Sequence, residues 1–426
     1  MKKVLPVSMV CIKTIAASSI FISVVMGAIA QTNTSYNANT TPIGGNFSTA
    51  FGVEALNVNS GSGNTANGYW CLSKNTTGSS NTANGYAALY FNSTGSDNTC
   101  NGSQALYNNT IGSRNTANGF LALYLNTIGS DNTANGYWAL SKNTTGNTNT
   151  ANGTLALFNN TTGSSNNANG YSSLYSTTTG SFNTGNGYAT LYRNTIGSNN
   201  TANGYLALYN NTTGSNNNAH GLLAMYNNIT GRNNTASGNR ALYSSKGNDN
   251  VALGDSAGYE SLGNGNIYLG KKAGYYETGN NKIYLGNDSN KTILYGDLST
   301  GQLLLGNPQP MGYAFKGTRT LNVLGGILAD SVRIVLRSNW ADHVFADDYN
   351  LTPLKALSRF IETNKHLPGI PTAKEVADDG IELATMTARL LEKIEELTLY
   401  VLQQQKQLQV QQRQIKELKQ MIVKSK

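Results

Sequence analysis

Eleven glycines, Gly68, Gly85, Gly102, Gly119, Gly136, Gly153, Gly170, Gly187, Gly204, Gly221 and Gly238, recur every 17 residues without a slip. Nothing else in the chain restricts its fold as strongly, because a fixed short period means one small unit stacked many times. The unit reads N-T-A-N-G-Y-x-A-L-Y-x-N-T-T-G-S-x. A second glycine follows ten residues after the first in ten copies, from Gly78 through Gly231. The fourth position after the first glycine is Leu except at Met225. Beyond Gly238 the step shortens to 16, through Gly254, Gly270 and Gly286, and a degenerate early copy stands at residues 48–52.

Seventeen residues with two glycines are too few for a helical hairpin. They fit two short strands and two turns, with glycine supplying a positive φ at each turn. One coil cannot bury its apolar face, whereas stacked coils form parallel ladders around a continuous core. Fifteen or so coils between Gly52 and Gly286, at about 4.8 Å each, make a column of roughly 70 Å. The 59 asparagines would then stack on one another, with side-chain amides bonded along the axis. Alternation alone leaves open which strand face is inside. The 16-residue copies suggest that Val251 and Leu253 point inward, which would place Thr and Asn at the matching inner positions elsewhere.

Composition agrees with a mosaic. Only 12% of the 426 residues are charged, too few and too unevenly placed for one large globular core. The 24 tyrosines argue equally against a disordered linker.

Asn-Thr-Ala-x-Gly followed by Ala-Leu, and Asn250-Val251-Ala252-Leu253-Gly254-x-x-Ala257-Gly258, resemble the head repeats of trimeric autotransporter adhesins, the YadA-type head. The resemblance spans residues 52–290. It implies a mainly β fold, a left-handed parallel β-roll or β-solenoid of 16–17-residue repeats. It further implies a homotrimer with chains side by side and adhesion to host or matrix components. This chain departs from the pattern in its longer repeat and more polar core.

Residues 1–30, with Lys2, Lys3, an apolar run and Gly27-Ala28-Ile29-Ala30, read as a signal peptide for export. Residues 31–47 form a lead, 48–297 the repeat head and 298–312 a connector containing Asn307-Pro308-Gln309-Pro310. Residues 313–382 form a small α+β module with a helix expected over 354–364 and a capping box at Thr372-Ala373-Lys374-Glu375. His366-Leu367-Pro368-Gly369-Ile370-Pro371 resembles the C-terminal module of secreted, tail-fibre-like proteins of Bacteroidetes-type bacteria. Over 383–426 a heptad predicts an α-helical coiled coil of roughly 55 Å. Its seam is Leu390, Ile394, Leu397, Val401, Gln404, Leu408, Gln411, Ile415, Leu418 and Ile422. Ile, Val or Leu at a with Gln404 and Gln411 at d leans toward three strands.

The chemistry of an enzyme is missing from the repeats. Asp97 and Asp131 share one position two coils apart, but Arg114 falls between them, so an Asp-Arg-Asp ladder is expected rather than an acid–base pair. Cys71 and Cys100 stand where Ala is usual and read as small core residues without a disulfide. His220, His343 and His366 lack metal-ligand spacing, so neither metal nor cofactor is expected. A Ser331 or Ser338 dyad with Lys355 has no motif behind it. Without Lys2, Lys3 and Lys13 the formal charge falls from +8 to +5, with no basic patch that would suit nucleic acid.

Binding would therefore fall to repeating columns. After the first glycine stand Tyr69, Tyr86, Phe120, Tyr137, Tyr171, Tyr188 and Tyr205. Four residues further on come Tyr90, Tyr107, Tyr124, Phe158, Tyr175, Tyr192, Tyr209, Tyr226 and Tyr243. These rings either stack on themselves at a seam between chains or form an exposed strip that grips sugars or peptide. Thr ranks, Thr65 through Thr235 and Thr76 through Thr212, offer the alternative of an ice- or crystal-binding face. The expected role is a secreted or cell-surface structural or adhesin-like fibre that is not an enzyme. Its partner would be host matrix, glycan or cell envelope. The polar end, Lys424-Ser425-Lys426, offers no membrane strand as a self-anchor.

Overall fold

Most coils contribute one three-residue strand with a small residue at its centre, and that residue faces the core. The computed structural model describes residues 34–36, 47–289, 291–306, 315, 317–334 and 341–424. The signal peptide, Ser338 and the Asn307–Pro310 stretch lie outside the described residues. The chain divides into two compact units, Met1–Gly326 and Ile327–Lys426.

In the first unit the strands are β1 (Thr34–Tyr36), β2 (Thr49–Phe51), β3 (Thr65–Asn67) and so on, one per coil, to β13 (Thr235–Ser237). β14 (Val251–Leu253), β15 (Ile267–Leu269) and β16 (Lys282–Gly286) continue the series. All pair in parallel and in strict register, for example Thr65 with Thr82, Ala66 with Ala83 and Asn67 with Asn84. The result is a parallel β-solenoid of about sixteen turns. Antiparallel β17 (Thr292–Asp297) and β18 (Gln302–Leu305) follow the last turn, and β19 (Leu321–Val323) pairs in parallel with β18. Lys282 and Asp297 face each other across the β16–β17 pair and are joined by a salt bridge of 2.5 Å.

The strand centres, Ala50, Ala66, Ala83, Cys100, Ala117 and their successors to Ala252, are wholly buried. The expectation for Val251 and Leu253 is overturned: Ala252 faces the core, Val251 is half-buried, and Leu253 is 44% exposed. The reason is register: β14 pairs Ala252 with Ala236, so Ala252 continues the inward column and its two neighbours face outward.

That opposite wall is not the second strand that the repeat length suggested. It is a ribbon of turns in which two residues per coil are left-handed, such as Trp70 and Leu72 (φ 60° and 50°) or Ala87 and Leu89 (51° and 53°). A left-handed L-residue costs about 1–2 kcal/mol. The cost is offset because the ribbon still bonds coil to coil, Leu72 N–H to the Ala88 carbonyl at 3.0 Å and Lys74 N–H to Tyr90 at 3.0 Å. It also aims each Leu into the core.

The two glycine columns have different causes. The first takes φ of 129–144° from Gly52 through Gly254. The second does not adopt a positive φ. It is required by crowding, since a Cβ on Gly95 would lie 2.3 Å from the Gly112 carbonyl and 2.5 Å from Asn92 Oδ1.

Asparagine fills what alanine and leucine leave. Preceding each strand, Asn81 donates through Nδ2 to Asn64 Oδ1 (3.2 Å) and to the Gly95 carbonyl (2.9 Å), and Asn64 Oδ1 also accepts the Asn81 backbone N–H (2.9 Å). This ladder repeats to Asn266. A second buried ladder runs through Asn75, Asn92, Asn109, Asn126, Asn143 and Asn160, each amide reaching the previous rung at 2.6–2.8 Å. Buried amides are tolerated because nearly every donor and acceptor is met.

Local departures from the consensus are compensated within the core. Ser173 and Thr190 replace Ala, bond to each other at 2.7 Å, and face Gly185, where a Cβ would lie 2.5 Å from Ser173 Oγ. In the 16-residue coils Gly258 and Gly274 replace Leu and leave room for the buried Tyr268 ring.

In the second unit a 3-10 turn (Ala341–Phe345) is followed by α1 (Leu354–Asn364), α2 (Ala373–Asp379) and α3 (Leu383–Lys424). α1 ends at Lys365 with φ 62°, and Thr372 and Glu375 form the expected capping box at the start of α2. Between residues 313 and 382, β19 is the one strand among the described residues.

Candidate binding surfaces

The outer faces of the solenoid follow directly from the winding. Around the strand, the outward positions are a Thr rank and an Asn rank. Around the turn ribbon they are the two aromatic columns.

In the first column, Tyr69, Tyr86, Phe120, Tyr137, Tyr171, Tyr188 and Tyr205 are 41–50% exposed. Their rings lie nearly parallel: Tyr69–Tyr86 at 5.8 Å and 3°, Phe120–Tyr137 at 5.4 Å and 17°, Tyr188–Tyr205 at 5.2 Å and 14°. Ser103 and Thr154 interrupt the column. In the second, half-buried column Tyr90, Tyr107 and Tyr124 stack at 5.2–5.3 Å. Phe158, Tyr175, Tyr192, Tyr209, Tyr226 and Tyr243 continue at 4.9–5.3 Å.

This column runs two coils beyond the residues that the 17-residue period selects, through Tyr259 (4.9 Å) and Tyr275 (4.7 Å). The signal that could have found them is the repeated Ala-Gly-Tyr of the 16-residue copies. Where Ser141 takes the column position, Trp138 stacks on Phe158 of this column (5.4 Å) and on Tyr137 of the first (5.3 Å), joining the two. In the coil where Ser73 takes that position, Trp70 lies 5.9 Å from Tyr90, tilted by 50°. Burial, then the neighbouring phenols, raises the pKa of the Tyr107, Tyr192, Tyr226 and Tyr275 hydroxyls.

Stacking decides what these columns can offer. A ring whose two faces are covered by its neighbours cannot serve as a platform for a sugar face. Within a run, the columns present ring edges and hydroxyls.

The two Thr ranks also differ. In the second, each hydroxyl donates to the carbonyl of the next coil, as for Thr76, Thr110 and Thr178 at 2.7–3.2 Å. In the first, Thr82, Thr99 and Thr116 stand half-exposed on the flat strand face. Beside them runs the outer Asn rank, self-bonded at 2.8 Å from Asn84 to Asn101 and onward. At the 16-residue end the same face turns apolar. Leu253, Leu269, Leu285 and Ile293 line a groove of about 640 Å³.

Arg114 forms a two-pronged salt bridge with Asp131, at 2.6 and 2.9 Å, and this holds the Asp131 carboxyl below its usual range. Asp97 makes no ion pair with it, so the expected three-membered ladder is a pair. Exposed as it is, this pair adds little stability. Cys71 and Cys100 are buried and unbridged. Burial pushes the Cys71 thiol up to about 12, and its Sγ points to the Ala83 carbonyl at 3.0 Å. His220 bonds Asn203 at 3.0 Å as the next rung of the outer Asn rank.

On α3 the seam residues Leu390, Ile394, Leu397, Val401, Leu408, Ile415, Leu418 and Ile422 are 46–60% exposed. Gln404 and Gln411 are exposed with them. Among the described residues no cluster of His, Cys, Asp or Glu could hold a metal, and no helix is long and apolar enough to cross a membrane. No protein-family model matches the chain, and no curated protein matches it.

Proposed function

We propose that this protein is an exported, non-enzymatic fibre that assembles as a homotrimer and adheres to surfaces by multivalent contact along its repeats. The observation that carries the proposal is the bare heptad seam of α3. A 42-residue helix whose exposed heptad seam is apolar at eight of its ten positions is unstable in water against pairing with copies of itself. A second support is the outward apolar face of β14–β16, which would meet the same face of other copies. In the adhesin-type reading the roll winds left-handed and the chains lie side by side.

Identical sites repeated every coil add avidity without high affinity at any one of them. The contact would be made by column edges and hydroxyls, which suits a polar partner such as a host-matrix protein, a glycan or a cell-envelope component. Binding of the full chain to arrays of glycans and matrix proteins tests this. Replacing Tyr171, Tyr188 and Tyr205 by Ala should remove most of the signal, whereas unchanged binding would reject the aromatic columns as the adhesive face.

The flat Thr–Asn strand face favours a second reading, attachment to ice or another crystal lattice. Thermal hysteresis that disappears on replacing Thr99 and Thr116 by Tyr would support it.

A further inference from the structure

The second unit contains a cavity of about 510 Å³ between α1 and α3, lined by Leu354, Leu357, Leu367, Leu397, Val401 and Gln404 among others. We propose that the α3 helix of a second copy fills this cavity, so that residues 341–370 act as a clasp closing each stalk helix onto its neighbour. The inference rests on the self-association reading above and assigns a task to the module between head and stalk.

Three observations place the clasp. First, the root is fixed to α3 of its own chain. Val344 and Ala388 are buried, the Tyr349 hydroxyl donates to the Glu396 carboxylate, and the Tyr400 hydroxyl donates to the Thr352 carbonyl. Glu396 is also held by Lys393 at 2.9 Å. Second, beyond this root α1 is amphipathic yet buries none of its residues, leaving Leu354 and Ile361 exposed. A pinned helix with an uncovered apolar face is expected to have something to cover it. Third, the far wall of the cavity is not arbitrary surface. Leu397, Val401 and Gln404 are successive seam positions, the residues that a neighbouring α3 would meet.

Gln404 identifies the occupant further. It is exposed in the single chain beside Gln403 and Gln407, and a partner that covers the seam would strip its amide of water, which is unfavourable unless the amide is paired. A parallel copy of α3 in register would bring its own Gln404 to the same level, so amide meets amide while Leu meets Leu above it. Another apolar helix would leave the amide unmatched.

The test uses the full chain carrying a photoreactive benzoylphenylalanine at position 357, with ¹⁴N- and ¹⁵N-labelled chains mixed and refolded together before irradiation. The expected product joins position 357 of one isotope to a peptide covering residues 393–407 of the other. Crosslinks confined to one isotope, in a sample whose mass is that of an oligomer, would overturn the clasp and leave self-association standing. A monomeric mass would overturn both.

Two substitutions separate the claims further. Ile415→Asp, on the seam outside the cavity, tests self-association alone. Leu357→Asp should weaken assembly about tenfold or more while the helical signal is retained. Assembly unchanged by Leu357→Asp but lost with Ile415→Asp would reject the clasp.

Discussion

The second asparagine ladder has a defect that allows its contribution to be measured in one substitution. At the rung after Asn160 the sequence has Thr177, and there Asn160 Oδ1 and Thr177 Oγ1 are both buried without a hydrogen-bond partner. The following amide, Asn194, reaches the Gly197 carbonyl (2.9 Å) but has no amide rung before it. Thr177→Asn changes side-chain volume little and should restore three bonds. These run from residue 177 to Asn160 Oδ1, from residue 177 to the Gly180 carbonyl, and from Asn194 to residue 177. Intact rungs show the geometry, with Asn143 reaching Asn126 at 2.7 Å and Gly146 at 3.0 Å.

At a net ~1 kcal/mol per bond, less the entropy of fixing one side chain, the gain is about 2 kcal/mol. For a unit of this size that is roughly 3–4 °C in melting temperature. Thermal unfolding followed by circular dichroism, with hydrogen exchange to localise the effect to the neighbouring coils, measures it. The converse Asn143→Thr, placing the same defect in an intact stretch, should cost a similar amount. A neutral or destabilising Thr177→Asn would refute the claim that amide rungs stabilise the core.

Three further outcomes are expected. The Lys282 ammonium and the Ser299 hydroxyl pull the Asp297 carboxyl down to about 2, so this group contributes stability above the ordinary carboxylate range, and the contribution is lost as pH falls from about 4 through 2. Asp297→Asn should therefore cost about 1–2 kcal/mol at pH 7 and much less near pH 2, where the carboxyl is half protonated, as denaturation at both pH values would reveal. Cys71 and Cys100 should resist alkylation at pH 8 in the folded protein and react on denaturation, which mass spectrometry will count. Gly112→Ala should cost about 2–4 kcal/mol in thermal stability, because its Cβ would meet Asn109 Oδ1 and the Gly129 carbonyl at 2.4 Å. The same change at Gly301, with open space around it, should cost about 1–2 kcal/mol, the strain of its left-handed φ of 69° alone.

Much of the architecture was legible because a period is visible without knowing any dihedral angle. The coil-per-repeat winding, the parallel stacking, the Asn ladders and α1 over Leu354–Asn364 all follow from spacing and end signals. What stayed hidden depended on which side of a three-residue strand is inside. Val251 and Leu253 look like core by hydropathy, yet the buried position is the unremarkable Ala252, because strand register continues the inward column from Ala236. Left-handed leucines such as Leu72 were equally unreadable. No propensity favours them, and only coil-to-coil hydrogen bonds make them tolerable. The aromatic columns were found by position, but whether their ring faces or edges meet solvent needed the stacking angles.

The account depends most on self-association, and the mass of the mature protein in solution, by light scattering with and without residues 381–426, tests that directly. It predicts a particle of three chain masses for the full protein and a loss of that state on truncation. A full-length protein that stays monomeric would contradict the fibre and return the repeats to a single-chain solenoid.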